Sequence, residues 1–120
     1  MLNKINLTEK FSLIHEYWDP KIISDLNESH VKLAKLKGEF VWHKHDAEDE
    51  LFFVVQGNLL IRFRDSDVWL EPGELLVIPR GVEHKPVAQE EVQVMLVEPR
   101  TTVNTGDTDS HFTRQELDWI

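Results

Sequence analysis

Two histidines in the sequence are spaced so that together they could bind a metal ion. His43 and His45 are two residues apart, and on a β-strand that spacing directs both side chains to the same face. Glu50 begins the next apolar run, and His84 follows the Pro79-Arg80-Gly81 turn on another predicted strand. Imidazole and carboxylate groups are common ligands of divalent transition metals. Groups on separate strands converge only if the sheet curls around them, as in a barrel.

The carboxylate of this group has neighbours of the same chemistry. Glu48 and Asp49 precede Glu50, but strand parity and the distance to Gly57 favour Glu50, with Glu48 as the alternative. A strand histidine taken alone is more often a buried, hydrogen-bonded residue than a ligand, so the interpretation rests on the whole set. The other histidines fall outside the pattern and are expected on the solvated surface: His15, His30 and His111.

The elements that must position these residues are short apolar runs between residues 29 and 98. Several runs are rich in Val, Ile and Phe, and glycines and prolines separate them. Glu71-Pro72-Gly73 has the pattern of a type II turn. Many short strands at this spacing predict a sandwich or barrel rather than βαβ units. The runs are Val31–Leu36, Phe40–His45, Leu51–Val55, Leu59–Phe63, Val68–Leu70, Leu75–Ile78 and Val92–Val97.

Both faces of one predicted strand are apolar. Phe52 and Val54 share a face with Glu50, while residues 51, 53 and 55 of the opposite face are Leu, Phe and Val. Neither face suits full exposure to water. The N-terminal segment could cover the outer face, or a second copy of the chain could. This strand and the apolar end of the chain favour a homodimer.

The two ends of the chain carry weaker signals. Leu7, Phe11 and Ile14 recur at helical spacing, and Asn6 could cap the turn, so we predict a short helix over residues 7–15. The tail from Pro99 contains Thr113-Arg114-Gln115-Glu116, a possible capping box ahead of an apolar tip. The tail could be loosely ordered, or its tip could dock on the barrel or on a second subunit.

Composition excludes several classes of function. There is no cysteine among the 120 residues, which removes disulfides and thiolate ligands, and fits a reducing compartment. The formal net charge of −9 disfavours nucleic acids and anionic lipid surfaces as partners. The nearest candidate for a basic patch is short, and we expect it to be a solvated strand face: Lys32, Lys35 and Lys37. No apolar run is long enough for a membrane span or a signal peptide, so we expect a cytoplasmic protein.

Two segments together resemble the cupin superfamily. The first runs from Gly38 through His43 and His45 to Glu50 and on to Gly57, and the second is Gly73-Glu-Leu-Leu-Val-Ile-Pro-Arg-Gly-Val-Glu-His84. The resemblance covers residues 38–88, and more loosely 24–107, where the chain is similar to small bacterial cupins called mannose-6-phosphate-isomerase-like. The sequence departs from the family's motifs at two places. Only four residues separate Gly38 from His43, where five are common, and Ala88 stands where the second motif often has asparagine.

The resemblance implies an all-β fold, a cupin-type jelly-roll barrel with a short N-terminal helix. The chain would form a single domain over residues 1–120, with the barrel core at about 24–98, an N-terminal helix and arm at 1–23 and a tail at 99–120. The resemblance also implies that one metal ion lies inside the barrel, and that its ligands are His43, His45, Glu50 and His84.

The resemblance allows more than one activity. The donor set suits one divalent transition metal, Fe, Mn, Ni, Co, Cu or Zn. We expect a metalloenzyme acting on a small oxygen-rich molecule, a sugar derivative or a chelating acid or diketone, with isomerase or dioxygenase chemistry. The alternative is a non-catalytic module that binds or senses a small molecule, because Glu48 and Glu83 are the only acid–base candidates near the ligands. Arg62 and Arg64 could anchor an anion but are expected to face outward.

Overall fold

Antiparallel β-strands form the framework of the protein. A computed structural model describes residues 2–120, and the predicted all-β jelly-roll barrel with a short N-terminal helix is confirmed. In chain order, the elements are α1 (Leu7–Phe11), β1 (Lys21–Leu26), β2 (Ser29–Glu39), β3 (Glu50–Gln56), β4 (Leu59–Phe63), β5 (Asp67–Leu70), β6 (Leu75–Ile78) and β7 (His84–Pro99).

The long strand β7 organises the sheet. Its first residues pair with β4, from Phe63↔His84 to Leu60↔Val87. Its second half lies between β2 and β3 in the order β1-β2-β7-β3-β6. One strand therefore belongs to both halves of the curled sheet, and it brings the histidine at its start next to the barrel interior.

Alternation along the strands separates an inner core from an outer one. Glu50, Phe52 and Val54 of β3 are buried inside the barrel, together with Val94 and Leu96 of β7. The other face of these strands packs under the N-terminal arm, where Phe11, Ile14 and Leu33 form a second buried cluster. The N-terminal segment thus covers the outer face near Val55 and Met95, while Leu51 and Phe53 of the same face are only half-buried. The homodimer stays a prediction.

Three predicted elements differ from the structure. The helix ends at Phe11 rather than at residue 15, because Ser12 caps it and the chain then leaves the helical path to bury Ile14. The run Phe40–His45 is not a strand, because its backbone bonds β7 only at the separate residues Phe40 and His43. The backbone of Lys44 bonds the tail instead. Strand β1 follows Pro20 and was not predicted.

The C-terminal tail is docked on the barrel. Thr108 Oγ1 donates to the Trp42 carbonyl, and Lys44 exchanges two hydrogen bonds with Asp107. The predicted capping box forms no helix, because the Thr113 hydroxyl bonds Thr105 and the Ser110 amide instead. The last residue, Ile120, packs against the outer core. Within residues 2–120, no helix is long and apolar enough to cross a membrane.

Gly106 allows the tail to approach the segment that carries two of the predicted ligands. Its φ is +56°, and a Cβ there would overlap the Lys44 carbonyl oxygen. Gly38 also has a positive φ, +87°, but a Cβ there would meet nothing within 4 Å. An alanine at Gly38 would therefore add backbone strain alone, whereas an alanine at Gly106 would add both strain and a steric clash.

We predict that Gly106→Ala destabilises the fold more than Gly38→Ala. Backbone strain alone should cost about 1 kcal/mol at Gly38, while the added clash at Gly106 should raise the cost by about 2 kcal/mol. Urea unfolding of both variants measures the difference. Equal losses of stability would mean that the tail does not pack on Lys44 as described.

Candidate metal centre

Backbone pairing brings the three histidines together. The His43 amide donates to the His84 carbonyl at 3.0 Å, and the His84 amide donates back to the His43 carbonyl at 2.9 Å. The Gly81 amide donates to the His45 carbonyl at 2.8 Å. These bonds join the segment before β3 to the start of β7 and the turn before it, so residues that are 36 or more positions apart in the chain become neighbours.

The four predicted ligands form one buried cluster. His43, His45, Glu50 and His84 each offer a ligand atom within 4.8 Å of the others, and each residue is at most 4% exposed. Glu50 Oε1 is 3.3 Å from His84 Nε2 and 3.6 Å from His45 Nε2. Glu48 is not in the cluster, because its carboxylate accepts a hydrogen bond from the Thr101 hydroxyl.

The histidine ring orientations are set by backbone carbonyls. His43 Nδ1 lies 2.9 Å from the Val41 carbonyl oxygen, and His84 Nδ1 lies 2.9 Å from the Val82 carbonyl oxygen. A carbonyl can only accept, so each Nδ1 carries the hydrogen and each Nε2 has a free lone pair. That arrangement is the usual one for histidines that bind a metal.

Several polar atoms of the cluster have no hydrogen-bond partner among the described residues. They are His84 Nε2, Glu50 Oε1 and both ring nitrogens of His45. Buried polar atoms rarely lack a partner unless a water or an ion supplies one. Unpaired lone pairs on two imidazoles and a carboxylate therefore fit a divalent cation among the four residues.

Electrostatics favour the deprotonated form of His43. Burial, and next the charge of the neighbouring His84, lowers the pKa of His43 to about 4, so this imidazole is neutral at pH 7. Burial alone would lower the pKa of His45 as well, but the nearby Glu50 carboxylate raises it above its usual value. A bound metal ion would take the place of the proton that the Glu50 carboxylate stabilises on the His45 ring.

Two further buried charged residues were missed by the sequence analysis. Glu98 and Lys32 lie beside the cluster, with Lys32 Nζ 2.9 Å from Glu98 Oε1. The predicted solvated position of Lys32 is wrong: its strand parity matches the buried Ala34 and Leu36. Glu98 likewise continues the inward series of Val94 and Leu96, so period-two alternation was the signal that could have revealed both.

Glu50 and Glu98 influence each other directly. The register Phe52↔Leu96 and Leu51↔Val97, continued by one step, places Glu50 opposite Glu98. Burial, and then the Glu50 charge, raises the pKa of Glu98 well above its usual range. Burial would also raise the pKa of Glu50, but the neighbouring Glu98 carboxyl group and the adjacent histidines hold it well below that range. Glu50, the residue of the metal cluster, therefore keeps its negative charge more readily than Glu98 does.

A small cavity of about 40 Å³ adjoins the cluster. His43, Glu50 and Glu98 supply charged or polar wall, and the larger part of the wall is apolar. Further lining residues include Trp18, Phe40, Phe52, Leu96 and Asn104.

Other residues considered from the sequence lie outside the cavity wall. Arg62 and Arg64 face outward as predicted, paired with Asp67 and Glu83 respectively. The Arg64 guanidinium carbon is 3.9 Å from the centre of the Trp42 ring. His15 and His111 are exposed as predicted. The side chain of His30, by contrast, is only 14% exposed, because it packs near Trp119 and pairs with Asp25.

Comparison with known proteins agrees with this geometry. The cupin domain family, Cupin_2, matches residues 29–98. The chain belongs to this cupin family. The matched segment begins at β2 and ends within β7, so it includes all four residues of the candidate metal cluster.

Among solved structures, a cupin-2 domain containing protein from Shewanella frigidimarina NCIMB 400 is 51% identical, with a TM-score of 0.79. The match covers 80% of this chain and 94% of that one. In Bacillus subtilis (strain 168), the uncharacterized protein YdbB is 44% identical over 52% of this chain and 57% of its own length. Acireductone dioxygenase of the same organism is 32% identical over 62% of this chain and 45% of its own length. The chain thus spans about half the length of these curated relatives.

The lowered pKa of His43 predicts acid sensitivity of the metal-free protein. The unfolded chain takes up a proton near the usual value of 6.5, while folded His43 resists protonation down to about 4. Its contribution to stability is therefore present above pH 6.5 and lost as the pH falls toward 4. Between pH 7 and pH 5 this loss should be about 2 kcal/mol.

Urea unfolding at the two pH values measures this loss. His43→Asn should remove about that much of the pH dependence, whereas His111→Asn, at an exposed position, should leave it unchanged. The explanation fails if His43→Asn unfolds with the same pH dependence as the wild-type chain.

Proposed function

We propose that this cupin binds one divalent transition metal ion through His43, His45, Glu50 and His84. The observation that supports the proposal most directly is the convergence of four buried ligand atoms within 4.8 Å. The free Nε2 of His84 and the unpaired Oε1 of Glu50 point to the same conclusion. Fe, Mn, Ni, Co, Cu and Zn all suit three imidazoles and a carboxylate, and absence of cysteine disfavours sites built on thiolates.

The charge of the cluster suits an oxygen-rich ligand. Three neutral imidazoles, one carboxylate and a divalent cation give a net charge of +1. A bound divalent metal would supply Lewis acidity, or would bring a chelating substrate and dioxygen together. The protein's own contribution is an apolar enclosure, since Phe52 and Leu96 line the cavity beside His43. Such an enclosure excludes water and strengthens electrostatic interactions within it.

We further propose that the protein is a small metalloenzyme of dioxygenase type. The similarity to acireductone dioxygenase of Bacillus subtilis supports this reaction above isomerase chemistry on a sugar derivative. Acireductone and dioxygen are therefore the first substrates to test. The cellular setting we propose is the cytoplasm, and the proposed assembly is a homodimer.

A second candidate is a non-catalytic module that binds or senses a small molecule. Two acid–base candidates from the sequence do not face the cluster. Glu48 accepts a hydrogen bond from Thr101, and Glu83 pairs with Arg64 at the surface. A catalyst of proton transfer would need a group near the reacting atoms, so these positions favour binding without such catalysis.

Metal content is the first test of the proposal. Elemental analysis of protein purified without chelator should find about one divalent transition metal per chain. His84→Ala should lose most of it, because one of four ligands is removed, whereas the exposed control His111→Ala should keep it. Circular dichroism checks that each variant is folded. Equal metal content in folded His84→Ala and wild-type protein would refute the assignment of His84 as a ligand.

The same preparations test the enzyme proposal with an oxygen electrode. Wild-type protein loaded with iron(II) should consume dioxygen when acireductone is added. Folded His84→Ala should be at least about tenfold slower, and His111→Ala should match the wild type. Metal-loaded protein that binds acireductone without consuming dioxygen would instead support the binding module.

A further inference from the structure

A buried ion pair beside the metal cluster has no part in the function proposed above. Lys32 Nζ lies 2.9 Å from Glu98 Oε1, and each side chain is 2% exposed. Removing two charges from water costs several kcal/mol per ion, and well-packed apolar residues often stabilise a core as much or more. Stability alone is therefore a poor explanation for this pair.

One oxygen of the pair is left without a partner. Lys32 bonds Glu98 Oε1, while Glu98 Oε2 is buried and receives no hydrogen bond from an N–H or O–H group of the described residues. The other polar neighbour of the Glu98 carboxyl group is that of Glu50. Glu98 lines the same cavity as His43 and Glu50, where Phe52 and Leu96 offer no polar group. Glu98, with its free oxygen, thus lines the cavity that adjoins the proposed metal cluster.

The β-sheet register sets the spacing between this oxygen and the cluster. Glu50 and Glu98 are opposite each other on β3 and β7 when the observed register is continued by one step. Cβ atoms of such pairs lie about 4.5–5.5 Å apart. A small molecule that binds at the cluster through one oxygen would therefore lie within reach of the Glu98 side chain.

We propose that Glu98, held in place by Lys32, determines specificity by hydrogen bonding to a hydroxyl group of the ligand. The hydroxyl stands on the carbon next to the oxygen-bearing group that binds the metal, as in 2-hydroxy acids, 2-hydroxy ketones and enediols. A hydroxyl both donates and accepts, so it can bond Glu98 whether or not that carboxyl group carries a proton. This inference rests on the proposed metal site and narrows its ligand class.

Lys32 acts as a positioning residue in this arrangement. Without it, Glu98 would lie opposite Glu50 with no cation of its own, and like charges across a strand pair repel. The bond to Oε1 also fixes which oxygen of Glu98 remains available to the cavity. Lys32 and Glu98 therefore act as one unit, and the double variant removes both.

The test compares two small probes that differ by one hydroxyl. Wild-type protein loaded with cobalt(II) is titrated with glycolate and with acetate, followed by calorimetry and by the visible spectrum of cobalt. Glycolate should bind more tightly, and part of its advantage would come from chelation of the metal. The quantity that tests Glu98 is therefore the change in the glycolate-to-acetate preference between wild-type and variant proteins.

We expect the double variant Lys32→Met with Glu98→Leu to lower that preference by about tenfold or more, since a buried hydrogen bond to the ligand is lost. Apolar residues of similar volume should keep the barrel folded. Glu98→Gln, which retains hydrogen-bonding groups on a side chain of the same length, should lower the preference less. The control variant Arg62→Met with Asp67→Asn removes an exposed ion pair and should leave the preference unchanged.

The outcomes distinguish this inference from the proposed function. If folded variants take up cobalt(II) as the wild type does and keep the wild-type preference, the role of Glu98 is refuted while the metal site stands. If the double variant fails to fold, the glycolate-to-acetate preference of Glu98→Gln is the test, and an unchanged preference refutes the role of Glu98. If wild-type protein takes up no cobalt(II), the proposed metal site is itself wrong, and this inference falls with it.

Discussion

The reciprocal backbone hydrogen bonds between His43 and His84 hold the functional part of this cupin together. They join a segment that is not itself a strand to the first residue of the longest strand in the sheet. Both residues of the pair then direct an Nε2 toward Glu50, because the neighbouring Val41 and Val82 carbonyls fix the opposite ring nitrogen. The tail strengthens this junction from outside, through the bonds between Asp107 and Lys44. Any loosening of the pair would move two of the three imidazoles at once.

A second constraint is the balance of charge inside the barrel. Glu50 and Glu98 are two acids in an apolar interior, and neither could remain there without compensation. Lys32 neutralises one, while the histidines and the proposed metal ion surround the other. The apolar residues of the cavity then keep water away from this small set of charges. Burying these polar groups costs free energy, but it also leaves ligand atoms unpaired and available to a metal ion.

The sequence predicted more of the site than of the segments around it. Period-two alternation and two motif-like segments were sufficient to select the four residues that the structure brings together, and to prefer Glu50 to Glu48. Lys32 was assigned to a solvated face because lysine is rarely buried, although its parity with Ala34 and Leu36 indicated the interior. The sequence left open whether the tail docks on the barrel, because the docking depends on long-range contacts between Gly106, Asp107 and Lys44 that leave no periodic pattern. The Phe40–His45 run misled for the same reason, since its apolar residues resemble a strand while the backbone of Trp42 and Lys44 bonds the tail.

The central claim is that these four side chains hold one metal ion. Crystals of the protein grown with cobalt(II), measured on both sides of the cobalt absorption edge, test it most directly. We expect one strong anomalous peak per chain, about 2.0–2.3 Å from the Nε2 atoms of His43, His45 and His84 and from a carboxylate oxygen of Glu50. A well-ordered barrel without a peak among these residues, or with its peak at another position, would contradict the account.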